Sequence, residues 1–207
     1  MKLYIVGAGG HGKQCAETAE LLGYTVVFLD DRKSEMNGLV ETWSIENAID
    51  AIPELTKQSH FFVAIGCNKT RQNITELILN CNGNLVTLQH PSAIVSDSAT
   101  IDSGVFIAQG AIVNPFAKVA CGAIVNTGAI IEHECEVGAY SHASPSSVML
   151  GNSTLERGAW LGAKAVLFPG KTVKEYTTIG ANSLVNRDTK SNTVYIGSPA
   201  RELVKKL

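Results

Sequence analysis

The chain has 207 residues, 45% of them hydrophobic, with 17 basic against 19 acidic side chains and a formal net charge of -2. That near balance, without any Lys/Arg run, argues against nucleic acid as a partner. No apolar stretch approaches the ~18 residues of a membrane span, and Met1-Lys2 leads directly into an apolar strand rather than a signal peptide, so a cytoplasmic protein with no membrane span is expected.

In chain order, the opening KLYIVGAGGHGKQCAETAELLGYTVVFLDD reads as strand, glycine turn, helix and strand. Gly7, Gly9 and Gly12 fit G-x-G-x-x-G immediately after the first strand, and Asp30 and Asp31 close the second about twenty residues on. Taken alone, this pattern would indicate a nicotinamide dinucleotide. A strand over Phe61 to Gly66, a helix over Lys69 to Leu79 and a last strand over Leu85 to Leu88 complete the region. Only one mononucleotide-binding half fits in these roughly ninety residues, whereas a dinucleotide needs two halves across the switch point. A single nucleoside diphosphate is the better ligand. Main-chain N–H groups of Gly9, Gly10, His11 and Gly12 at the helix mouth can hold a pyrophosphate, and Asp30 or Asp31 can accept from a base or ribose. The bland alternative is a glycine turn that only lets the helix pack on its strand. The five cysteines, Cys15, Cys67, Cys81, Cys121 and Cys135, are odd in number, lack C-x-x-C spacing and sit among apolar residues, which reads as reduced core thiols.

From Val95 to Val185 every sixth residue is aliphatic, with Ala143 the one weak member, and the residue four further on is small at most repeats, as at Ala111, Ala129, Cys135 and Ser153. A period of six fits neither the helical 3.6 nor a lone hairpin, but it suits short strands joined by tight turns, three to a coil. The expectation is a β-solenoid of about five coils. Gly104, Gly110, Gly122, Gly128, Gly158 and Gly170 fall where its turns need positive φ. Phe106, Phe116, Trp160 and Phe168 fall at outward positions, where a monomer would expose them as a patch.

Several motifs together resemble the hexapeptide-repeat acyltransferases of the NeuD type, and above all the UDP-4-amino-sugar N-acetyltransferases of bacillosamine biosynthesis. They are VGAGGHG from Val6 to Gly12, Leu29-Asp30-Asp31, AIGCN from Ala64 to Asn68, HPSA from His90, NTGAIIEHEC from Asn126 to Cys135, Tyr140-Ser141-His142, and the closing GSPAR from Gly197. The resemblance covers essentially the whole chain. It implies an α/β Rossmann-like half domain (1–89) that binds a nucleotide sugar, UDP-linked in the nearest relatives, followed by a left-handed parallel β-helix acetyltransferase domain (90–207). It also implies a homotrimer with active sites between neighbouring subunits, acetyl-CoA along the solenoid and no metal.

His133 is the candidate general base. An unperturbed imidazole titrates near ~6.5 and can take a proton from an amine nucleophile at neutral pH, and Glu134 can raise its basicity if the side chains meet. Two positions after the inward Ile131, His133 shares that inward parity unless a turn has begun, and spacing alone leaves both possibilities open. The resemblance assigns His133 as base, Glu134 as its support, Asn126 as a residue that places the reacting groups, and Gly66 as part of the substrate site. It assigns acetyl-CoA contacts to His142, Ala163 and Ala181, with Gly151 relaxing the coil near the pantetheine. Three other readings compete. A zinc hydratase on the same scaffold needs three gathered histidines, and the repeats hold only His133 and His142. A sialic-acid-type O-acetyltransferase would use a hydroxyl nucleophile, but a free sugar acid needs no nucleotide domain. A non-enzymatic nucleotide-sugar-binding module leaves His133 and Glu134 without a task.

Overall fold

The computed structural model describes residues 1–55 and 59–203, and the chain divides into two compact units, Met1–Pro91 and Ser92–Leu207. In the first, β1 (Lys2–Val6), α1 (Gly10–Leu21) and β2 (Thr25–Leu29) form a right-sized βαβ start. A short hairpin follows, β3 (Leu39–Val40) and β4 (Trp43–Asn47), then α2 (Ile52–Leu55), β5 (His60–Val63), α3 (Asn68–Asn80) and β6 (Asn84–Leu85). The sheet order is β3-β4-β2-β1-β5-β6, and every pairing from β4 to β6 is parallel. Parallel strands covered by helices are apolar throughout, which is why Leu3, Ile5, Val6, Phe28, Leu29, Phe61 and Phe62 are all essentially inaccessible.

The strand expected over Leu85 to Leu88 is instead two short ones, β6 and β7 (Leu88–Gln89), with Val86 and Thr87 belonging to neither. The thiols also need correction. Cys15 and Cys135 are buried, but Cys81 and Cys121 are half-buried and Cys67 is exposed, because it precedes α3 at the rim of the sheet.

The second unit is a left-handed β-helix of two-residue strands stacked in three parallel sheets. Ile107 sits on Val125, Val125 on Ala143 and Ala143 on Leu161, each step one coil of 18 residues. The inward aliphatic series from Ile107 to Val185 is buried throughout, as are the small residues beside it from Ala111 to Ser183 apart from Lys171. Positive φ recurs every six residues from Gly104 to Asn182 without a gap. Glycine fills six of these positions, and side chains such as Phe116, Glu134 and Tyr140 take the left-handed conformation at the others, at about 1–2 kcal/mol each. Hydrogen bonds up the stack, such as Asn126 N to Ala143 O at 2.9 Å, hold that conformation.

Phe116, Trp160 and Phe168 are exposed as expected, but Phe106 is fully buried. It stands in register with Ile124, which is also buried, so this end of its sheet is packed and contributes nothing to an open patch.

Candidate active site

In the first unit the glycines divide by role. Gly7 has φ +101 and lies against the Ala64 carbonyl, and a Cβ on Gly12 would collide with the Gly7 carbonyl oxygen, so both serve the contact of α1 with the strands. Gly9, Gly10 and Gly66 are different, since a Cβ on any of them would meet nothing within 4 Å. They are open backbone that a ligand can approach. Gly9 caps α1 with no side-chain hydrogen bond, and no acidic residue occupies the first turn, so the N–H groups there remain suited to an anion.

These residues line one cleft with Gly7, His11, Asp30, Arg32, Ile49, Ala64 and Ile65. Burial and then the Arg71 guanidinium push the His11 imidazole down to about 4, so at neutral pH it is an uncharged hydrogen-bonding group. Arg71 itself is buried and donates to the carbonyls of Ile65 and Gly66 at 2.8 and 3.1 Å, shaping the cleft wall from behind. The Asp30 carboxylate is engaged within the chain: it accepts from Ala8 N at 2.8 Å and from Arg32 N, Nε and Nη2. Arg32 first, with Ala8 N–H, holds its pKa at about 2. Asp30 thus fastens the glycine loop to β2, while Asp31 accepts from Ile49 N at 2.9 Å. Arg32 and Arg71 were not among the residues singled out from sequence; the adjacency of Arg32 to the acidic pair was the available signal.

In the β-helix, the turn has already begun at His133. The strand Ile130–Ile131 ends two residues earlier, Glu134 takes φ 60, and the His133 side chain is 59% exposed. Its Nδ1 lies 3.2 Å from Glu134 Oε2. Because a carboxylate can only accept, Nδ1 is the donor in this contact and Nε2 is turned away from Glu134. The ring lies over Gly151 one coil on, where a Cβ would come within 2.6 Å of both Nε2 and Cε1. Gly151 is therefore a clearance for the imidazole.

Asn126 and His142 meet: Asn126 Nδ2 is 3.0 Å from His142 Nε2. Ala163 and Ala181, one coil apart, lie further up the same corner, half-buried and exposed respectively. A Cβ on Gly162 would lie 2.7 Å from Ala181 N, so this corner is kept smooth. His133 and Gly151 occupy the next corner, across the sheet that contains Ile130–Ile131. One chain does not bring the two sets together. Cys135 Sγ is buried, 3.3 Å from the Leu150 carbonyl, and burial pushes its thiol up, as suits a structural residue. Among the described residues no three His, Cys, Asp or Glu side chains gather as for a metal ion, and no helix is long and apolar enough to cross a membrane.

A nucleotide-type βαβ unit joined to a left-handed β-helix with a solvent-facing His–Glu pair defines a class, the hexapeptide-repeat acyltransferases with an added nucleotide domain. Residues 2–78 match the family model of the PglD N-terminal domain. The chain is 30% identical to the GDP-perosamine N-acetyltransferase of Escherichia coli O157:H7 over 82% of its own length and 80% of the relative's. It is 35% identical to the UDP-N-acetylbacillosamine N-acetyltransferase of Bacillus subtilis over 50% of its length and 49% of the relative's. PerB from Caulobacter crescentus, solved with CoA and GDP-perosamine, superposes with a TM-score of 0.93 at 33% identity, covering 99% of this chain and 98% of that one. The acetyltransferase domain of PglB from Neisseria gonorrhoeae, solved with acetyl coenzyme A, gives 0.93 at 35% identity, covering 98% of each. The chain belongs to this family of sugar N-acetyltransferases.

Proposed function

We propose that the protein moves the acetyl group of acetyl-CoA to the 4-amino group of a nucleotide-linked amino-dideoxy sugar, in the cytoplasm, for glycan biosynthesis. The observation that carries this reading is the His133–Glu134 pair, with Nδ1 against the carboxylate and the imidazole 59% exposed, where a substrate amine could reach Nε2. Acetyl-CoA supplies an activated thioester: the amine adds to its carbonyl carbon, the new C–N bond forms, and the C–S bond breaks with its electron pair leaving on CoA as the thiolate, which the proton held by His133 can then neutralise. His133 Nε2 takes the proton lost by the amine, and Glu134 stabilises the resulting imidazolium through Nδ1–H. No covalent enzyme intermediate is needed. Asn126, His142, Ala163 and Ala181 are read as the side that holds the acyl donor. Their corner is separate from that of His133, which favours a homotrimer in which one chain's base meets a neighbour's donor site. The exposed Phe116 and Phe168 support such an association.

The cleft at Gly9, Gly10, His11 and Gly66, with Asp30 in its lining, is read as the nucleotide handle, while Gly12 packs α1 on the strands and Asp31 lies outside that lining. An N-acetyltransferase needs that handle, whereas an O-acetyltransferase of a free sugar acid does not. Thermal protection tests it: UDP or GDP at 100 Kd should stabilise by about 2.7 kcal/mol, UDP being the first choice, and NADH should give less. Stabilisation by NADH equal to or above that of both diphosphates would return the cleft to a redox reading.

A further inference from the structure

We infer that Trp160 is a positioning residue, which clamps the His142–Asn126 pair in one hydrogen-bonding arrangement. The inference rests on the reading that this pair serves acyl transfer. The coil repeat places His142 in register with Trp160 on the adjacent strand. Their rings are parallel within 3°, with centroids 5.7 Å apart, an offset stack of the kind aromatic rings prefer. The indole is pinned sideways, because Nε1–H donates to Ser144 Oγ at 2.6 Å. Ser144 is itself 4% exposed and sits two residues after His142 at the donor corner. The indole does not fill the core, since the neighbouring Leu161 does that at 0% exposure while Trp160 remains 43% exposed. What it covers is the imidazole.

The state of that imidazole follows from Asn126. Asn126 Oδ1 accepts the Thr127 N–H at 2.8 Å. A flipped amide would set two donors against each other there, so the atom facing His142 is Nδ2, a donor. His142 Nε2 must then accept, and the ring is held as the neutral Nδ1–H tautomer. Asn126 is half-buried, and its amide nitrogen has two hydrogens: one binds His142 and the other can be presented at the corner. Rotation of the imidazole would break this arrangement. The stacked indole, tethered to Ser144, opposes that rotation. Trp160 thereby acts on Asn126 through His142.

The test pairs histidine-selective nitrogen NMR with kinetics on the full chain. In the wild type His142 should show a protonated Nδ1 and an unprotonated Nε2. In Trp160→Leu the two nitrogens should average toward a tautomer mixture, and kcat should fall about tenfold with the KM for the nucleotide sugar unchanged, within the ~10²-fold that a 1 Å misplacement can cost. Trp160→Phe keeps a ring on the stack and should retain the tautomer. Ser144→Ala removes only the tether, a milder change to the fold, and should show partial averaging. The NMR reading stands whether or not a given amino sugar is the substrate, so a failed assay would count against the activity and not against the clamp. A wild-type His142 protonated at Nε2, or an unchanged tautomer in both Trp160→Leu and Ser144→Ala, would overturn the inference. So would loss of activity in Trp160→Leu that light scattering traces to a change of oligomer.

Discussion

Replacing His133 with alanine is expected to lower kcat by about 10²- to 10⁴-fold, the usual range for loss of a general base, with little change in the KM of either substrate. The ring is more than half exposed and its hydrogen bond runs to the adjacent Glu134, so its removal leaves no cavity and the fold should melt as before. Steady-state kinetics on the variant, with a melting curve as control, check this. Glu134→Ala should be milder, since the carboxylate orients and supports the imidazole without taking the proton. A His133→Ala protein of near-normal turnover would remove the residue from the chemistry.

The second large effect is expected at Gly151, which carries no functional group of its own. A methyl there would stand 2.6 Å from His133 Nε2 and Cε1, well inside contact distance, so the imidazole must swing away. Displacing a reacting group by about 1 Å can cost 10²-fold, and Gly151→Ala should lose about that much in kcat while keeping its stability, because the ring lies at the surface and can move. Comparing kcat and melting temperature of the variant with those of the wild type separates this clearance role from a structural one. Full activity in Gly151→Ala would mean that the base does not work from the position over residue 151.

The β-helix was readable because its repeat constrains every position twice. Ile107, Val125 and Leu161 must point inward to stack, and Gly104 to Gly170 mark the turns that reverse the backbone. The exposure of His133 was not readable, since it depends on whether the strand ends at Ile131 or continues, and the left-handed turn at Glu134 is a property of the stack and not of its local residues. The partnership of Trp160 with His142 was legible in principle from their one-coil spacing, yet nothing in composition says that an outward tryptophan will lie flat on a histidine. In the first unit the fingerprint around Gly7 to Gly12 located the cleft. The hairpin of β3 and β4 was missed because Asp31 to Asn47 is largely polar, with only Val40, Trp43 and Ile45 forming its buried apolar face. Asp30 read as a ligand contact, but its carboxylate closes the glycine loop through Ala8 N–H and Arg32, a partner supplied by the loop that follows β2.

The most direct test of the account is to supply the protein with acetyl-CoA and a nucleotide-linked 4-amino-dideoxy sugar, UDP- and GDP-linked in parallel, and to follow free thiol release together with the mass of the sugar product. The account predicts one thiol released per acetyl group gained by the sugar amine, no acetylated protein in single-turnover samples, and loss of both signals in His133→Ala. Acetyl transfer to the protein itself, or thiol release with every amino sugar left unmodified, would contradict it.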